Sequence, residues 1–205
     1  MLVKTLVVGQ LETNCYVVTD EDTLECAIID PGAESNSILD YLEENRLIPR
    51  AIFITHGHFD HIMALGEVQE QTGAPVYVNE RELSSDAHGA ERIVGTPGLR
   101  YYAEGDEIAV GSLVFRVLET PGHSAGGVTL LCGEAMFPGD TLFAGSCGRT
   151  DLGGDMEQME ASLRRLSALP GDFEVYPGHA ESTTLENERR FNYYVKHANS
   201  EFPDQ

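Results

Sequence analysis

The chain has 205 residues, of which 41% are hydrophobic and 23% are charged, a composition typical of a folded globular protein. Its 13 basic and 34 acidic residues give a formal net charge of −21, which disfavours nucleic acid as a partner because an acidic surface repels phosphate. The N-terminus has no signal-peptide pattern, no apolar run approaches the ~20 residues that cross a bilayer, and the four cysteines form no C-x-x-C pair. We therefore expect one domain over residues 1–205, free thiols in a reducing cytoplasm, and no membrane partner. The sequence does not indicate an oligomeric state.

The first half of the chain predicts strands in LVKTLVV, NCYVVTD and LECAIID, and the third strand ends in the turn Asp30-Pro31-Gly32. A helix is expected in SNSILDYLEENRL, with Ser35 or Asn36 as its cap and Pro49 as its stop, followed by the strand RAIFIT. HIMALGEVQEQTG is predicted as one helix and APVYVN as a strand, and residues 80–100 are predicted as a weakly patterned helix and loop.

The second half repeats this order. Strands are predicted in DEIAVGSLVFRVLETPG, GGVTLLCG and EAMFPGDTLF, followed by the helix DMEQMEASLRRLSALP, the strand FEVYPG and the helix TTLENERRFNYYVKHA. Because strands followed by helix occur twice, the pattern predicts an α+β fold in which two sheets pack face to face with helices outside, an αββα sandwich.

The most informative stretch is FITHGHFDH, which places His56, His58, Asp60 and His61 directly after an apolar strand. His56 and His58 are two residues apart, so they point the same way in an extended loop. Asp60 and His61 are adjacent and begin a helix, so they project in another direction. This geometry favours ligands for two metal ions, since imidazole and carboxylate both bind ions such as Zn²⁺.

Three further strands end in a Pro-Gly pair followed by a potential ligand, namely His123 in LETPGHS, Asp140 in MFPGD and His179 in VYPGH. The sharp turn would aim each side chain across the sheet edge. The predicted ligands are His56, His58 and His123 for one ion and Asp60, His61 and His179 for the other, with Asp140 bridging both. Asp60 and Asp140 are also the predicted catalytic residues.

Asp30, in IIDPG, occupies the same position after an apolar strand. It could accept a hydrogen bond from a ligand imidazole and fix its tautomer, or it could form a simple Asx turn before Pro31-Gly32.

The pattern T-H-x-H-x-D-H at 55–61, with His123, Asp140 and His179, resembles the metallo-β-lactamase-fold superfamily, and the likeness extends from TNCYVV to YPGH…TTLENE. Within it, residues 139–155 and the run YPGHAESTTLENERRFN resemble the glyoxalase II (hydroxyacylglutathione hydrolase) branch. The resemblance implies two divalent ions, with zinc expected and iron or manganese as alternatives. It implies a small-molecule thioester substrate such as S-lactoylglutathione, attacked at its carbonyl by a hydroxide between the ions.

The chain departs from that branch in two places. The family usually follows its last ligand with a Gly-Pro-type turn, whereas this chain has Ala180-Glu181 and must turn without glycine. Glyoxalase II enzymes also carry a C-terminal helical extension that supplies most glutathione contacts, and position 205 falls about where it would begin. The cysteine ligand of lactam-hydrolysing members is absent, which disfavours β-lactam hydrolysis.

Arg149 and Asp151, in CGRTD, are expected to pair with each other, although Arg149 could instead meet an acidic substrate. Cys147 lies in the same loop, and no neighbour marks it as an activated thiolate. His88 and His197 match no motif position and are predicted to be surface residues.

Three other functions remain open. A persulfide dioxygenase of the same superfamily would hold a single iron with His56, His123 and Asp140. A non-catalytic, metal-stabilised domain is disfavoured because no ligand is missing. Nuclease activity is disfavoured by the net charge of −21.

Overall fold

A computed structural model describes residues 1–84 and 89–200, and within these ranges the strands form two six-stranded sheets. The first sheet contains, in spatial order, β1 (Leu2–Val8), β2 (Thr13–Thr19), β3 (Glu25–Ile29), β4 (Ile48–Phe53), β5 (Val76–Val78) and β6 (Leu99–Tyr101). The second contains β7 (Glu107–Val110), β8 (Leu113–Glu119), β9 (Val128–Cys132), β10 (Ala135–Gly139), β11 (Glu174–Pro177) and β12 (Thr183–Thr184), also in sequential order.

Both sheets are mixed. In the first, β1, β2 and β3 pair antiparallel, whereas β3, β4, β5 and β6 pair parallel. In the second, the β10–β11 pair is parallel and the pairs formed by the other neighbours are antiparallel. Parallel neighbours need long crossovers, and the intervening helices supply them.

The helices of the described residues are α1 (Ser35–Glu44), α2 (Phe59–Ile62), α3 (Leu65–Thr72), α4 (Arg81–Ser84), α5 (Ala90–Ile93), α6 (Met156–Ser167), α7 (Leu185–Phe191) and α8 (Tyr193–Ala198). Asp155 caps α6, because its carboxylate accepts a hydrogen bond from the backbone N–H of Gln158 at 2.8 Å. No helix within residues 1–84 and 89–200 has the length and apolar character that crossing a bilayer requires.

The two faces of each sheet bury different cores. Alternate residues of β2 and β3 point to opposite faces of the sheet. Val17 and Ile28 pack with residues of α1 and α3, whereas Val18 and Ile29 pack with residues of the second sheet. A third core lies between the second sheet and the helices α6, α7 and α8. The order of layers is therefore helix, sheet, sheet, helix, which confirms the predicted αββα sandwich.

Several local predictions are wrong. The predicted helix 61–73 is two short helices, α2 and α3, and the C-terminal helix is divided at Asn192, whose side chain caps α8. The segment 80–100, predicted as helix and loop, contains the short helices α4 and α5, but strand β6 begins at its end. Pro49 does not stop α1, which ends at Glu44, but lies inside β4 at a register shift, where a missing N–H is tolerated.

The cap prediction for α1 is also wrong. Ser35 is the first helical residue and Glu34 precedes it with a left-handed φ of 53°. The Ser35 hydroxyl donates instead to Glu67 Oε2 at 2.6 Å, a contact with α3 that the local sequence does not reveal.

The strands that carry the predicted ligands end at one edge, where the two sheets meet. The backbone N–H of Val128 in β9 donates to the carbonyl of Thr55 at 3.0 Å, which joins the loop after β4 to the second sheet. The backbone N–H of Asn14 in β2 donates to the carbonyl of Gly178 at 2.7 Å. The first link holds the loop after β4 against the second sheet, the second holds the loop after β11 against the first sheet, and the functional groups lie at this edge.

Candidate metal centre

The seven predicted ligands meet at this edge, where they form two triads joined by one carboxylate. The first triad is His56, His58 and His123, and the second is Asp60, His61 and His179; within each, one potential ligand atom per residue lies within 4.8 Å of the others. The structure thus groups these residues as the sequence predicted. Their roles as ligands, and the catalytic roles of Asp60 and Asp140, stay predictions.

In the first triad, two ring nitrogens face each other without a carbonyl or carboxylate between them. His58 Nδ1 and His123 Nε2 are 2.8 Å apart, and the His56 ring lies at 80–89° to both neighbouring rings. The Nε2 atom of His56 is buried and has no hydrogen-bond partner. A buried nitrogen without a partner is costly, so this triad is suited to an ion that all three imidazoles share.

The second triad is more polar. His179 Nε2 lies 3.2 Å from Asp60 Oδ2 and 3.3 Å from His61 Nε2. His61 Nε2 is in turn 3.5 Å from Asp60 Oδ2. Thr13 donates its hydroxyl to the same Asp60 oxygen at 3.1 Å, which holds the carboxylate in place at the start of α2.

Asp140 lies between the triads. Its Oδ2 is 3.4 Å from His123 Nε2 and 3.5 Å from His179 Nε2, whereas its Oδ1 is 3.5 Å from His61 Nε2. Oδ1 is buried and accepts no hydrogen bond. A carboxylate in this position can contact two neighbouring ions at once.

The outer nitrogens of three rings are held by oxygen atoms. His61 donates from Nδ1 to Asp30 Oδ2 at 2.9 Å, His123 from Nδ1 to the Arg149 carbonyl at 2.6 Å, and His179 from Nδ1 to the Leu11 carbonyl at 3.0 Å. In the neutral form of each ring, a proton on Nδ1 leaves Nε2 as a lone pair directed into the site, the arrangement that ligand histidines use.

Asp30 takes the position predicted for a group that fixes a ligand imidazole. Its Oδ1 accepts from the Thr55 N–H at 2.7 Å, and its Oδ2 accepts from the Thr55 hydroxyl at 2.6 Å as well as from His61. The Thr55 hydroxyl lies 3.1 Å from His56 Nδ1. Although Asp30 also groups with His56 and His61 as possible ligands, its oxygens are occupied by these donors, so it orients rather than binds.

Burial prepares the first triad for a cation. It lowers the pKa values of His56, His58 and His123, and the other imidazoles nearby lower the pKa of His56 further. These rings are therefore neutral at neutral pH, the form that can bind a metal.

Three carboxylates, one of them within the second triad, act on His61. Burial lowers the pKa of His61, but the carboxylates of Asp140, Asp30 and Asp60 outweigh it and raise the pKa to about 9. Burial opposes ionisation of Asp60 as well, yet the hydrogen bond with His179 and the nearby His61 hold its pKa below the usual range. This concentration of carboxylate charge favours a divalent cation.

The spacing of the groups also fits metal ions. Ligand atoms about 2.0–2.1 Å from a tetrahedral zinc ion lie about 3.3 Å from one another. The separations measured here, from 2.8 Å between His58 and His123 to 3.5 Å between His61 and Asp140, bracket that value. The donor set of imidazoles and carboxylates fits zinc, iron and manganese alike.

Sequence reasoning missed Glu82, which is fully buried in α4. Its Oε2 accepts from the backbone N–H of Gly57 and its Oε1 from that of Gly126, both at 2.6 Å. Gly57 lies between His56 and His58, so one carboxylate ties the first ligand loop to the loop that follows His123. Glu82 belongs to the weakly patterned segment and matches no motif, so no local signal identifies it.

Two glycines of the Pro-Gly pairs have distinct physical roles. Gly139 has a φ of 51°, a left-handed conformation that glycine adopts without strain. Gly178 is required for space, because a Cβ there would lie 2.1 Å from Asp140 Oδ1. The absence of a side chain at this position therefore lets the loop that carries His179 approach the Asp140 carboxylate.

The turn after His179 forms without glycine. Ala180 adopts a left-handed φ of 64°, and Asn14 Nδ2 donates to its carbonyl at 2.9 Å. The same amide group donates to the carbonyl of Pro177, also at 2.9 Å, and the Tyr16 hydroxyl donates to that carbonyl at 2.5 Å. Residues of β2 thus hold the strained turn in place.

The remaining residues singled out in the sequence lie near the site or outside it. Arg149 and Asp151 form the predicted pair, a double hydrogen bond with both distances 2.6 Å. Burial raises the pKa of Cys147 to about 11, so it is not an activated thiolate. His197 was predicted at the surface, but it is half-buried, 3.5 Å from Glu160. His88 lies outside the described residues.

The family model of the metallo-beta-lactamase superfamily matches residues 8–179. Among curated proteins, the chain is 38% identical to the probable metallo-hydrolase YqgX of Bacillus subtilis, over 92% of this chain and 94% of YqgX. It is 30% identical to the hydroxyacylglutathione hydrolase GloC of Haemophilus influenzae, over 95% of this chain and 98% of GloC. These likenesses extend over nearly all of each protein.

Solved structures give similar coverage. The BLEG-1 B3 metallo-beta-lactamase is 33% identical with a TM-score of 0.85, covering 95% of this chain and 99% of its own. ETHE1 from Myxococcus xanthus is 34% identical with a TM-score of 0.82, and the match covers 95% of this chain and 84% of ETHE1. TTHA1623 in a di-iron-bound form is 38% identical with a TM-score of 0.81, and the match covers 94% of this chain and 100% of TTHA1623. Neighbours at similar identity thus carry different functional names.

Proposed function

The chain belongs to the metallo-beta-lactamase superfamily, and we propose that it is a binuclear metal-dependent thioester hydrolase of glyoxalase II type, acting on a small-molecule thioester. The observation that carries this proposal is the pair of triads joined by Asp140, whose buried oxygens lie within 3.5 Å of His61, His123 and His179. The likeness to GloC, 30% identical over 95% of the chain, supports the same reaction class.

Two divalent ions in these triads, with zinc expected and iron or manganese as alternatives, would activate water and polarise the thioester carbonyl. The first ion would be held by His56, His58 and His123, the second by Asp60, His61 and His179, and both by Asp140. A di-iron form of the 38% identical TTHA1623 supports iron as an alternative.

The protein's own groups supply orientation. Asp30, the Arg149 carbonyl and the Leu11 carbonyl hold three imidazoles in the tautomer that presents Nε2 to the site. Because a thiolate is a stable leaving group, the reaction needs no dedicated general acid, and the proposal assigns none. Four free cysteines fit a reducing compartment, and we propose a cytoplasmic location on that basis.

The test combines metal analysis of the purified protein with hydrolysis of S-lactoylglutathione and of simpler thioesters. We expect two ions per chain and turnover that chelation abolishes and metal restores. Two bound ions without hydrolysis of any thioester would refute the thioester hydrolase. Hydrolysis of simple thioesters alone would keep the reaction class and remove glutathione as the carrier.

A persulfide dioxygenase is the second candidate, because ETHE1 from Myxococcus xanthus is 34% identical over 95% of this chain. It would use one iron held by His56, His123 and Asp140. One iron per chain, with oxygen consumption on glutathione persulfide and no thioester hydrolysis, would establish it in place of the hydrolase.

Since BLEG-1 is named a B3 metallo-beta-lactamase, a chromogenic β-lactam should be assayed alongside the thioesters, and we expect no turnover of it.

A further inference from the structure

A cavity of about 420 Å³ opens beside the second triad, between the β1–β2 hairpin and α2. Its volume falls within the range of roughly 300–1,000 Å³ that small-molecule sites occupy. Most of its wall is apolar, formed by Val8, Leu11, Ala33, Phe59 and Met63.

Three of these wall residues are unusually exposed for apolar side chains. Leu11, Phe59 and Met63 are 54%, 45% and 52% exposed, although they come from two different elements and meet around one cavity. Single exposed apolar residues are ordinary, whereas a cluster around a cavity indicates a binding surface.

The cavity adjoins the second triad. Asp60 lines it, and its Oδ2 is 3.2 Å from His179 Nε2. Leu11 contributes its side chain to the wall and its carbonyl to the hydrogen bond with His179 Nδ1 at 3.0 Å. A substrate whose carbonyl lies between the triads can therefore extend one of its two arms directly into this space.

The cavity offers no cationic partner to an anionic arm. Among the described residues that line it, none is lysine, arginine or histidine, and the charged one is Asp60. Glu34 adds a second carboxylate beside it, accepting from the Gly9 N–H at 2.9 Å. Arg149, near the first triad, already forms a double hydrogen bond with Asp151. The two carboxylates of glutathione would therefore find no cationic side chain to pair with among the described residues that line the cavity.

We propose that the cavity walled by Leu11, Phe59 and Met63 binds an uncharged apolar arm of the thioester, so that the substrate class is apolar acyl or alkyl thioesters rather than glutathione thioesters. This inference rests on the proposed function for its substrate class and on the cavity itself for its binding site.

The first test measures kcat/KM for two series of uncharged thioesters. One series lengthens the acyl group from acetyl to hexanoyl on N-acetylcysteamine, and the other lengthens the thiol from ethanethiol to hexanethiol on an acetyl group. We expect kcat/KM to rise up to about fourfold per methylene in one series, the equivalent of ~0.8 kcal/mol per buried CH₂, and that series identifies the arm. We also expect S-hexanoyl-N-acetylcysteamine to exceed S-hexanoylglutathione. A flat response in both series would overturn the proposal.

The second test uses the matched variants Met63→Ser and Met156→Ser. Met156 is 48% exposed, like Met63, but lies at the start of α6 outside the cavity. In Met63→Ser we expect the rise in kcat/KM per methylene to fall below about twofold, whereas Met156→Ser should show the same rise in kcat/KM as the parent protein. An equal rise in the two variants would place the apolar arm elsewhere.

A binding measurement separates failure of the cavity from failure of the reaction. The metal-loaded protein is titrated calorimetrically with uncleavable S-alkyl thioethers of N-acetylcysteamine, from ethyl to hexyl. We expect the Kd to fall as the alkyl chain lengthens in the parent protein and in Met156→Ser. In Met63→Ser the Kd should fall less with each added methylene. This result supports the cavity even if no thioester is hydrolysed, whereas a Kd independent of chain length contradicts it even if thioesters are turned over.

Discussion

Replacing Glu82 by glutamine should weaken the first metal site more than the second. The two oxygens of Glu82 accept the backbone N–H groups of Gly57 and Gly126, each at 2.6 Å. Glutamine keeps one acceptor and turns an NH₂ group towards the other N–H, so one charge-assisted hydrogen bond is lost and a buried donor is left without a partner. Since Gly57 lies between His56 and His58, the loss falls on the first triad.

The magnitude follows from these contacts. A hydrogen bond to a charged group contributes about 1.5–3 kcal/mol, and an unsatisfied buried donor costs a further ~1–3 kcal/mol. Part of the two terms overlaps, so we expect the metal-free Glu82→Gln protein to lose about 2–4 kcal/mol in its free energy of unfolding. Groups that orient ligands change metal affinity by roughly 10–100-fold, which we expect for the first ion.

The assay is urea unfolding of the metal-free protein together with chelator competition that resolves two binding steps. Glu80→Gln is the matched control, because Glu80 is an exposed glutamate two residues away, and it should leave both measurements unchanged. Excess metal should restore turnover in Glu82→Gln, because the ligands themselves remain. Equal weakening of both ions, or no weakening of either, would refute the role assigned to Glu82.

Three further predictions address the second triad, the turn beside it and the pH dependence of stability. His179→Ala should empty the second metal site and spare the first, as measured by metal content; loss of all metal would contradict the division into two triads. Ala180→Gly should raise the free energy of unfolding by about 1 kcal/mol in urea, because glycine relieves the left-handed φ of 64°, and a decrease would show that the turn carries no strain. Hydrogen bonds from the Ser112 backbone, Thr23 and Asp22 lower the pKa of Asp20 to about 2 from its usual 3.8, so its stabilisation is full above about pH 4 and is lost as the pH falls through 2. Asp20→Asn should therefore have a lower urea midpoint than the parent protein at pH 6, and the two midpoints should differ less at pH 3. A difference in midpoint that grows as the pH falls would contradict the stabilising role assigned to the Asp20 carboxylate.

The residues that meet in the two triads could be predicted from the sequence because each is part of a short local pattern. The run HGHFDH and the Pro-Gly pairs before His123, Asp140 and His179 lie at strand ends, and strand ends can be located from apolar runs. The four layers could be predicted for the same reason, since alternation along β2 and β3 separates the two cores.

The features that the sequence did not reveal depend on contacts between distant segments. The carbonyls of Leu11 and Arg149 hold His179 and His123, but a backbone carbonyl has no residue type that a pattern could identify. Ser35 resembles a helix cap and instead donates to Glu67, a partner supplied by another helix. Pro49 resembles a helix stop, yet the register shift of β4 gives it a place where no N–H is needed.

The position of Leu11 connects metal binding with substrate choice. Its carbonyl orients His179, while its side chain forms part of the apolar wall, so one residue of the β1–β2 hairpin contacts both a predicted ligand and the proposed substrate arm. A shift of the hairpin that admits a longer arm would also move the acceptor that fixes His179 Nδ1. Because ligand orientation tolerates little displacement, the hairpin should limit the length of arm that is hydrolysed efficiently. We therefore expect kcat/KM to rise with chain length until the arm fills the cavity and then to fall. A kcat/KM that keeps rising with chain length would show that the hairpin does not couple arm length to the orientation of His179.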